Sequence, residues 1–363
     1  VALRMALHEQ LGDLLCMLGQ YSEARPHFVQ ALTQAAPAAA LPCARLHRKV
    51  GSTWRDDYQY PQAIQFYNAA IHALLHPDTL AHAVDLAQHP TAPAPVVPSN
   101  EQPAVGTQSA AWWEEWIQIQ LEIDLVHYWL AESAASVQRH QQLAPLIEQH
   151  ATAGQRATFF QRRTQLALRR HRSVATAEAV AYARRSLAIY KEAAMAEPLA
   201  AAHFMLGFTL LWYGDLPAAQ AELQEALQMA QARGDRSLQA RALTYLTIVA
   251  RQQDAVAETT ALATAALALA DEVHMPEYVA LAHANQAWLA WRAHDDEGVR
   301  DHGRAAQALW QQLPVTHASA PFQWTALWPL LAVALVDEEL AAAVDCARAL
   351  LDPHQQQLPE PVT

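Results

Sequence analysis

The chain has 363 residues, of which 52 % are apolar and 17 % charged, with a formal net charge of −12. That apolar content supports a large buried core and excludes a disordered chain, while the acidic balance runs against a nucleic-acid binder, which usually carries a basic face. Cys16, Cys43 and Cys346 are odd in number and far apart, so they give neither a disulfide framework nor a zinc pattern. A reducing compartment, the cytoplasm, is the expected location. No apolar run reaches transmembrane length and no signal peptide is visible. The first residue is Val1 rather than methionine, so the sequence is expected to be a fragment of a larger protein.

Alanine, leucine, glutamine and arginine dominate, all good helix formers. From His8 to Ala31, Leu11-Gly12 sits mid-helix, Gly19 and Tyr21 mark a turn, and Ala24, Phe28 and Ala31 follow at helical spacing. His47 to Ala70 repeats the offsets with Val50-Gly51, Trp54, Tyr60, Ala63, Tyr67 and Ala70. Residues 90–108, PTAPAPVVPSNEQPAVGTQ, are too rich in proline for a regular helix. They divide an N-terminal block, 1–89, from a C-terminal block, 109–363, of about six helix pairs. A long helix is predicted over 110–136 with a shorter partner at 137–150, and a further pair over 155–171 and 174–194. The pattern returns in strength at His203 to Ala226, with Leu206-Gly207, Gly214, Ala219, Leu223 and Ala226, and continues more weakly through Leu246-Thr247, Gln286-Ala287 and Leu327-Trp328.

Each unit reads as two antiparallel helices whose small residues permit close approach and whose large residues fill the space between units. None can bury its apolar face alone, so units stack. The chain therefore resembles an all-α solenoid of tetratricopeptide-type (TPR) repeats, a right-handed superhelix of antiparallel helix pairs. Its period is longer than the standard 34 residues.

The chemistry-bearing motifs are missing. The sequence contains no phosphate-binding G-x-x-x-x-G-K-[ST] or G-x-G-x-x-G, no H-E-x-x-H and no G-x-S-x-G. His72 and His76 share a helix face and His82 is near, but Pro77 interrupts the helix and no acidic or cysteine partner completes a metal site. His8, His47, His203 and His283 recur four residues before the Gly position or its equivalent, with Trp324 in the last unit, which marks a packing position. The acidic neighbours Glu114-Glu115, Asp295-Asp296 and Glu338-Glu339 point about 100° apart on a helix and are expected on solvated faces or at helix starts. No catalytic residue, cofactor or metal is expected, and the chain is not expected to be an enzyme.

The order AWWEEWIQIQLEIDLVHYWL, MLGFTLLWYGDLPAAQAELQEAL, LQARALTYLTIVAR, MPEYVALAHANQAWLAWRAHDDE, PFQWTALWPLLAVAL and ARALLDPHQQQLPEPV narrows the resemblance. It is similar to the C-terminal helical region of large bacterial signalling ATPases of the STAND class, often fused to a class III adenylate or guanylate cyclase domain. The resemblance implies a regulatory arm that senses or binds a partner and controls an N-terminal NTPase or cyclase module absent from this chain.

In such arrays the first helix of each pair lines the concave surface. The residues expected there are Phe204, Phe208, Trp212, Arg241, Arg251, Trp288 and Trp291, with Arg45, Arg48 and Arg55 as a second cluster. Trp112, Trp116 and Gln120 join them on the long helix. Aromatic residues and arginine dominate interface hot spots. The expected partner is a protein or peptide, or the protein's own NTPase or cyclase module, with no role for nucleic acid or membrane and with oligomerisation open. The alternative is a small-molecule receptor whose groove takes an anionic or polar effector.

Overall fold

The computed structural model describes residues 2–35, 39–75, 108–313 and 320–357. Among them are sixteen α-helices and no strand. The helices are α1 Ala2–Met17, α2 Tyr21–Gln34, α3 Ala40–Asp56, α4 Tyr60–Leu75, α5 Ala110–Trp129, α6 Ser133–His150, α7 Ala153–Arg170 and α8 Ala177–Glu192. They continue as α9 Ala196–Tyr213, α10 Leu216–Arg233, α11 Arg236–Gln252, α12 Val256–Glu272, α13 Pro276–Arg292, α14 Asp296–Gln311, α15 Trp324–Val336 and α16 Leu340–Leu350. Contacts group the chain into two compact units, Val1–Arg156 and Ala157–Thr363. Apart from Gln108, the proline-rich segment 90–108 lies outside the described residues, as do His76 and His82. Helices α4 and α5, on either side of it, pack together in the first unit.

The helix predicted over 110–136 ends at Trp129, and its partner begins at Ser133. Ala131 adopts a left-handed backbone, φ 60°, which stops a helix whatever the propensity of its neighbours. The same device recurs in every described turn between the two helices of a pair. Gly19, Tyr58, Ala131, Arg172 with Ser173, Gly214, Asp254, His294 and Glu338 all have positive φ. Only two of these positions carry glycine, so most of the turns had no glycine to mark them.

The helices of a pair meet at two register points. The first joins the Gly position to the residue sixteen further on. A Cβ added at Gly12 would stand 2.5 Å from the Phe28 ring, at Gly51 2.7 Å from Tyr67, and at Gly207 2.7 Å from Leu223. The other five pairs have Asp124 and His140, Ala167 and Ala183, Thr247 and Ala263, Ala287 and Gly303, and Leu327 and Ala343 in this register. The second point lies four residues earlier and joins residues nineteen apart. His8 and His27 face each other there (Nδ1 to Nδ1 3.1 Å), as do His283 and His302 (3.1 Å), and His203 meets Glu222 (2.6 Å). Gln120 accepts from Arg139, Arg163 stacks on Tyr182 with its guanidinium 4.1 Å from the ring centre, and His47 lies against Phe66. The recurring histidine is thus a helix-pairing position, as its repetition suggests.

His47 has no exposed surface, and neither of its ring nitrogens has a hydrogen-bond partner. Burial pulls its pKa down from 6.5 to about 4, because a buried imidazolium without an acceptor is costly. A folded-state pKa below the unfolded one means that the unfolded chain takes up the proton first. The neutral ring's contribution is complete above pH 6.5 and is lost as the pH falls towards 4. In His47→Leu, urea melts between pH 7 and pH 4 should lose less stability than in the unaltered chain. Equal losses would remove His47 from the acid response. Gly207→Leu should cost roughly 1–3 kcal/mol by overpacking against Leu223, read as a lower urea midpoint, and an unchanged midpoint would contradict the pairing register.

Candidate functional site

In the first unit the predicted arginine cluster is tied into ion pairs. Arg45 Nε donates to Glu9 (2.8 Å), Lys49 bridges Glu9 and Asp13 (2.8 and 2.7 Å), and Arg48 Nε donates to Glu115 (2.6 Å). Arg55 pairs with Asp56 (2.8 Å) and with Glu122. Apart from Arg55–Asp56, within α3, these bonds run between helices α1, α3 and α5. Burial alone would raise the Glu9 pKa, but the hydrogen bonds from Arg45 and Lys49 outweigh it and hold the carboxyl below its ordinary value. Glu115, expected on a solvated face, is buried against Arg48. Breaking such a pair strands a buried charge, at a cost of about 3–5 kcal/mol. The cluster Arg45, Arg48 and Arg55 therefore has its hydrogen-bonding capacity committed within the unit. Trp112, Trp116 and Gln120 on α5 are buried.

In the second unit the stripe Phe204, Phe208 and Trp212 belongs to an aromatic stack. Phe204 is buried and the other two are half-buried. Tyr245 of α11 meets Phe208 edge-on at 4.7 Å, and Phe322 stacks on Trp212 at 5.1 Å and 14°. Phe322 comes from the short 3-10 turn Ala320–Phe322 that leads into α15. Sequence reasoning did not place Phe322 or Tyr245 here. Trp288, buried on α13, lies under Arg251 (5.3 Å) and Arg292 (5.7 Å). Trp291, a turn later, is 43 % exposed. Arg241 covers the Phe204 ring at 4.3 Å, and its Nε is buried without an acceptor, as is the Trp212 indole nitrogen. The predicted residues come together, but as a stack that is mostly closed.

Arg251 is half-buried, and burial of its guanidinium pulls the pKa down to about 9, so it stays protonated at neutral pH. Its Nη1 donates to Asn285 Oδ1 (3.3 Å), and both terminal nitrogens donate to the Thr325 carbonyl (3.3 Å each). The reason lies four residues on, at Pro329, inside α15. A proline has no N–H, so the Thr325 carbonyl loses its intrahelical donor. Arg251 supplies the donor instead. This is a fold-building role that the sequence order conceals, because the two residues lie 74 positions apart. Arg251→Met should destabilise the chain by about 1–3 kcal/mol. The loss should shrink in the Pro329→Ala background, where an N–H is restored. A double-mutant cycle showing no coupling between the two positions would reject this role.

Among the described residues no group of three or more His, Cys, Asp or Glu could hold a metal ion, and no helix is long and apolar enough to cross a membrane. No protein-family model matches the chain, and no curated protein matches its sequence. Solved structures do match. The apo form of RapI is similar with a TM-score of 0.58 at 13 % identity, covering 85 % of this chain and 98 % of its own. Aspartyl phosphate phosphatase F from Bacillus subtilis gives 0.50 at 12 %, covering 90 % and 97 %. A STAND protein with a tetratricopeptide repeat sensor from Pyrococcus horikoshii gives 0.49 at 14 %, over 92 % of this chain and 52 % of its own. At such identities the likeness to the first two shows the fold alone, a TPR-like solenoid of helix pairs.

Proposed function

We propose that the chain is a non-catalytic interaction and sensor scaffold that regulates an NTPase or cyclase module of the same protein. Its contact face is the α9–α11–α13 side of the second unit. One observation carries this reading: half-buried Arg241 lays its guanidinium over the Phe204 ring at 4.3 Å without a carboxylate partner among the described residues, beside half-buried Trp212 on the neighbouring first helix. A guanidinium held on a ring keeps donors for a partner's carbonyl or carboxylate. Exposed Trp291 and Tyr213 extend the same helices. The arginines of the first unit offer less, because carboxylates already hold them.

The test uses the longest natural protein that contains this chain. Arg241→Ala should leave the melting temperature nearly unchanged while altering nucleotide turnover several-fold. Unchanged turnover would exclude this face as the regulatory contact. A full-length protein with no nucleotide turnover would exclude the regulated module itself.

A further inference from the structure

The last described residues of the chain fold back onto the second unit. Gln356 accepts the Trp324 indole N–H through Oε1 (2.9 Å), donates from Nε2 to the Ser173 carbonyl (2.9 Å), and donates its backbone N–H to the Pro321 carbonyl (2.8 Å). Gln355 Oε1 accepts the Trp324 backbone N–H (3.2 Å), at the first residue of α15, and its carbonyl accepts from Arg172 Nε (2.9 Å). Arg172 Nη2 reaches the Asp352 carbonyl (3.3 Å), and the Gln357 N–H donates to the Arg172 carbonyl (3.1 Å). The two glutamines are only 4 % and 6 % exposed. The receiving surface is held in place independently of the tail. Arg172 and Ser173 form the left-handed turn between α7 and α8, and the Ala175 N–H bonds the Trp212 carbonyl (3.3 Å).

The segment first turns, the Gln355 N–H bonding the Asp352 carbonyl (2.9 Å), and then pairs the N–H groups of Gln356 and Gln357 and the carbonyls of Asp352 and Gln355 with the receiving surface. Backbone pairing of this kind, with buried side-chain amides beside it, is how a groove holds a peptide. We propose that Arg172, Ser173, Pro321 and Trp324 form a peptide-binding site whose resident occupant is the chain's own Asp352–Gln357. In trans the site takes a segment that turns and then presents two consecutive glutamines. The second glutamine is specified by chemistry, because its amide must accept from an indole N–H and donate to a carbonyl at once. A glutamate cannot donate to the Ser173 carbonyl. The tether gives the resident segment an effective concentration on the order of millimolar, so a free peptide enters only when the tail lets go. This site borders the Arg241 face, since Trp324 meets Trp212 edge-on at 6.4 Å, but it is read by peptide binding rather than by nucleotide turnover, so either can fail without the other.

The test keeps the full chain. Gln355→Ala with Gln356→Ala releases the tail, and a labelled peptide Asp-Pro-His-Gln-Gln-Gln is titrated in by fluorescence anisotropy. The released variant should bind the peptide at least tenfold more tightly than the unaltered chain. A peptide carrying Gln356→Glu should lose that binding. A folded variant that binds neither peptide, or binds both equally, overturns the proposal. Should the variant not fold, the unaltered chain provides the second measurement. Excess peptide should speed hydrogen exchange at the Gln356 and Gln357 amides, and the Gln356→Glu peptide should not. Exchange unaffected by the peptide overturns the site.

Discussion

Two helices joined by a three-residue turn can pack face to face only if the side chains at their closest point share a fixed space. In this chain that point lies between residues sixteen apart, and the space is filled in several ways. Gly12, Gly51 and Gly207 admit Phe28, Tyr67 and Leu223 from the second helix. In α5 and α6 the same point holds Asp124 and His140, 2.9 Å apart. In α13 and α14 it holds Ala287 and Gly303, and the room that Gly303 leaves is taken by Leu330 of α15. Large against small is interchangeable with small against small plus a neighbour, because close packing constrains summed volume rather than identity. Once this contact is set, the point four residues earlier is also set, and rings, hydrogen bonds or ion pairs close the remainder of six of the pairs.

The two units use the faces of their first helices differently. In the first, carboxylates of one helix meet cations of the next, and the charges are spent on holding α1, α3 and α5 together. In the second, aromatic rings fill the face, and the arginines there lie over rings or cap a carbonyl. A guanidinium on a ring keeps donors in hand that one in a carboxylate fork has committed. This difference is why the proposed contact face lies on the second unit, although both units carry arginines at comparable repeat positions.

The tail occupies a neighbouring part of the second unit. Its two buried glutamines have no helix or sheet to satisfy them, and they take their partners from the turn at Arg172 and from the start of α15. A solenoid that accommodates a segment of its own chain in this way has backbone groups and an indole placed for a peptide that turns into two glutamines.

The sequence by itself determined the helix pairs, their small-residue contacts and the recurring histidine, because these depend on spacing within about twenty residues. It also brought the groove residues onto shared first helices, which follows from helical periodicity alone. Tertiary structure decided which of them meet solvent. Phe204 and Trp288 are buried because Tyr245, Phe322 and the arginines cover them, and nothing local to either residue announces that cover. The turn residues were legible at Gly19 and Gly214 but not at Tyr58, Ala131 or Asp254, where packing of the adjoining helices imposes a left-handed backbone on residues that do not prefer it. The bond from Arg251 to Thr325 and the return of Gln356 to Ser173 span 74 and 183 residues. Contacts of that reach exist only once the pairs have stacked, since no spacing rule within one repeat can encode them.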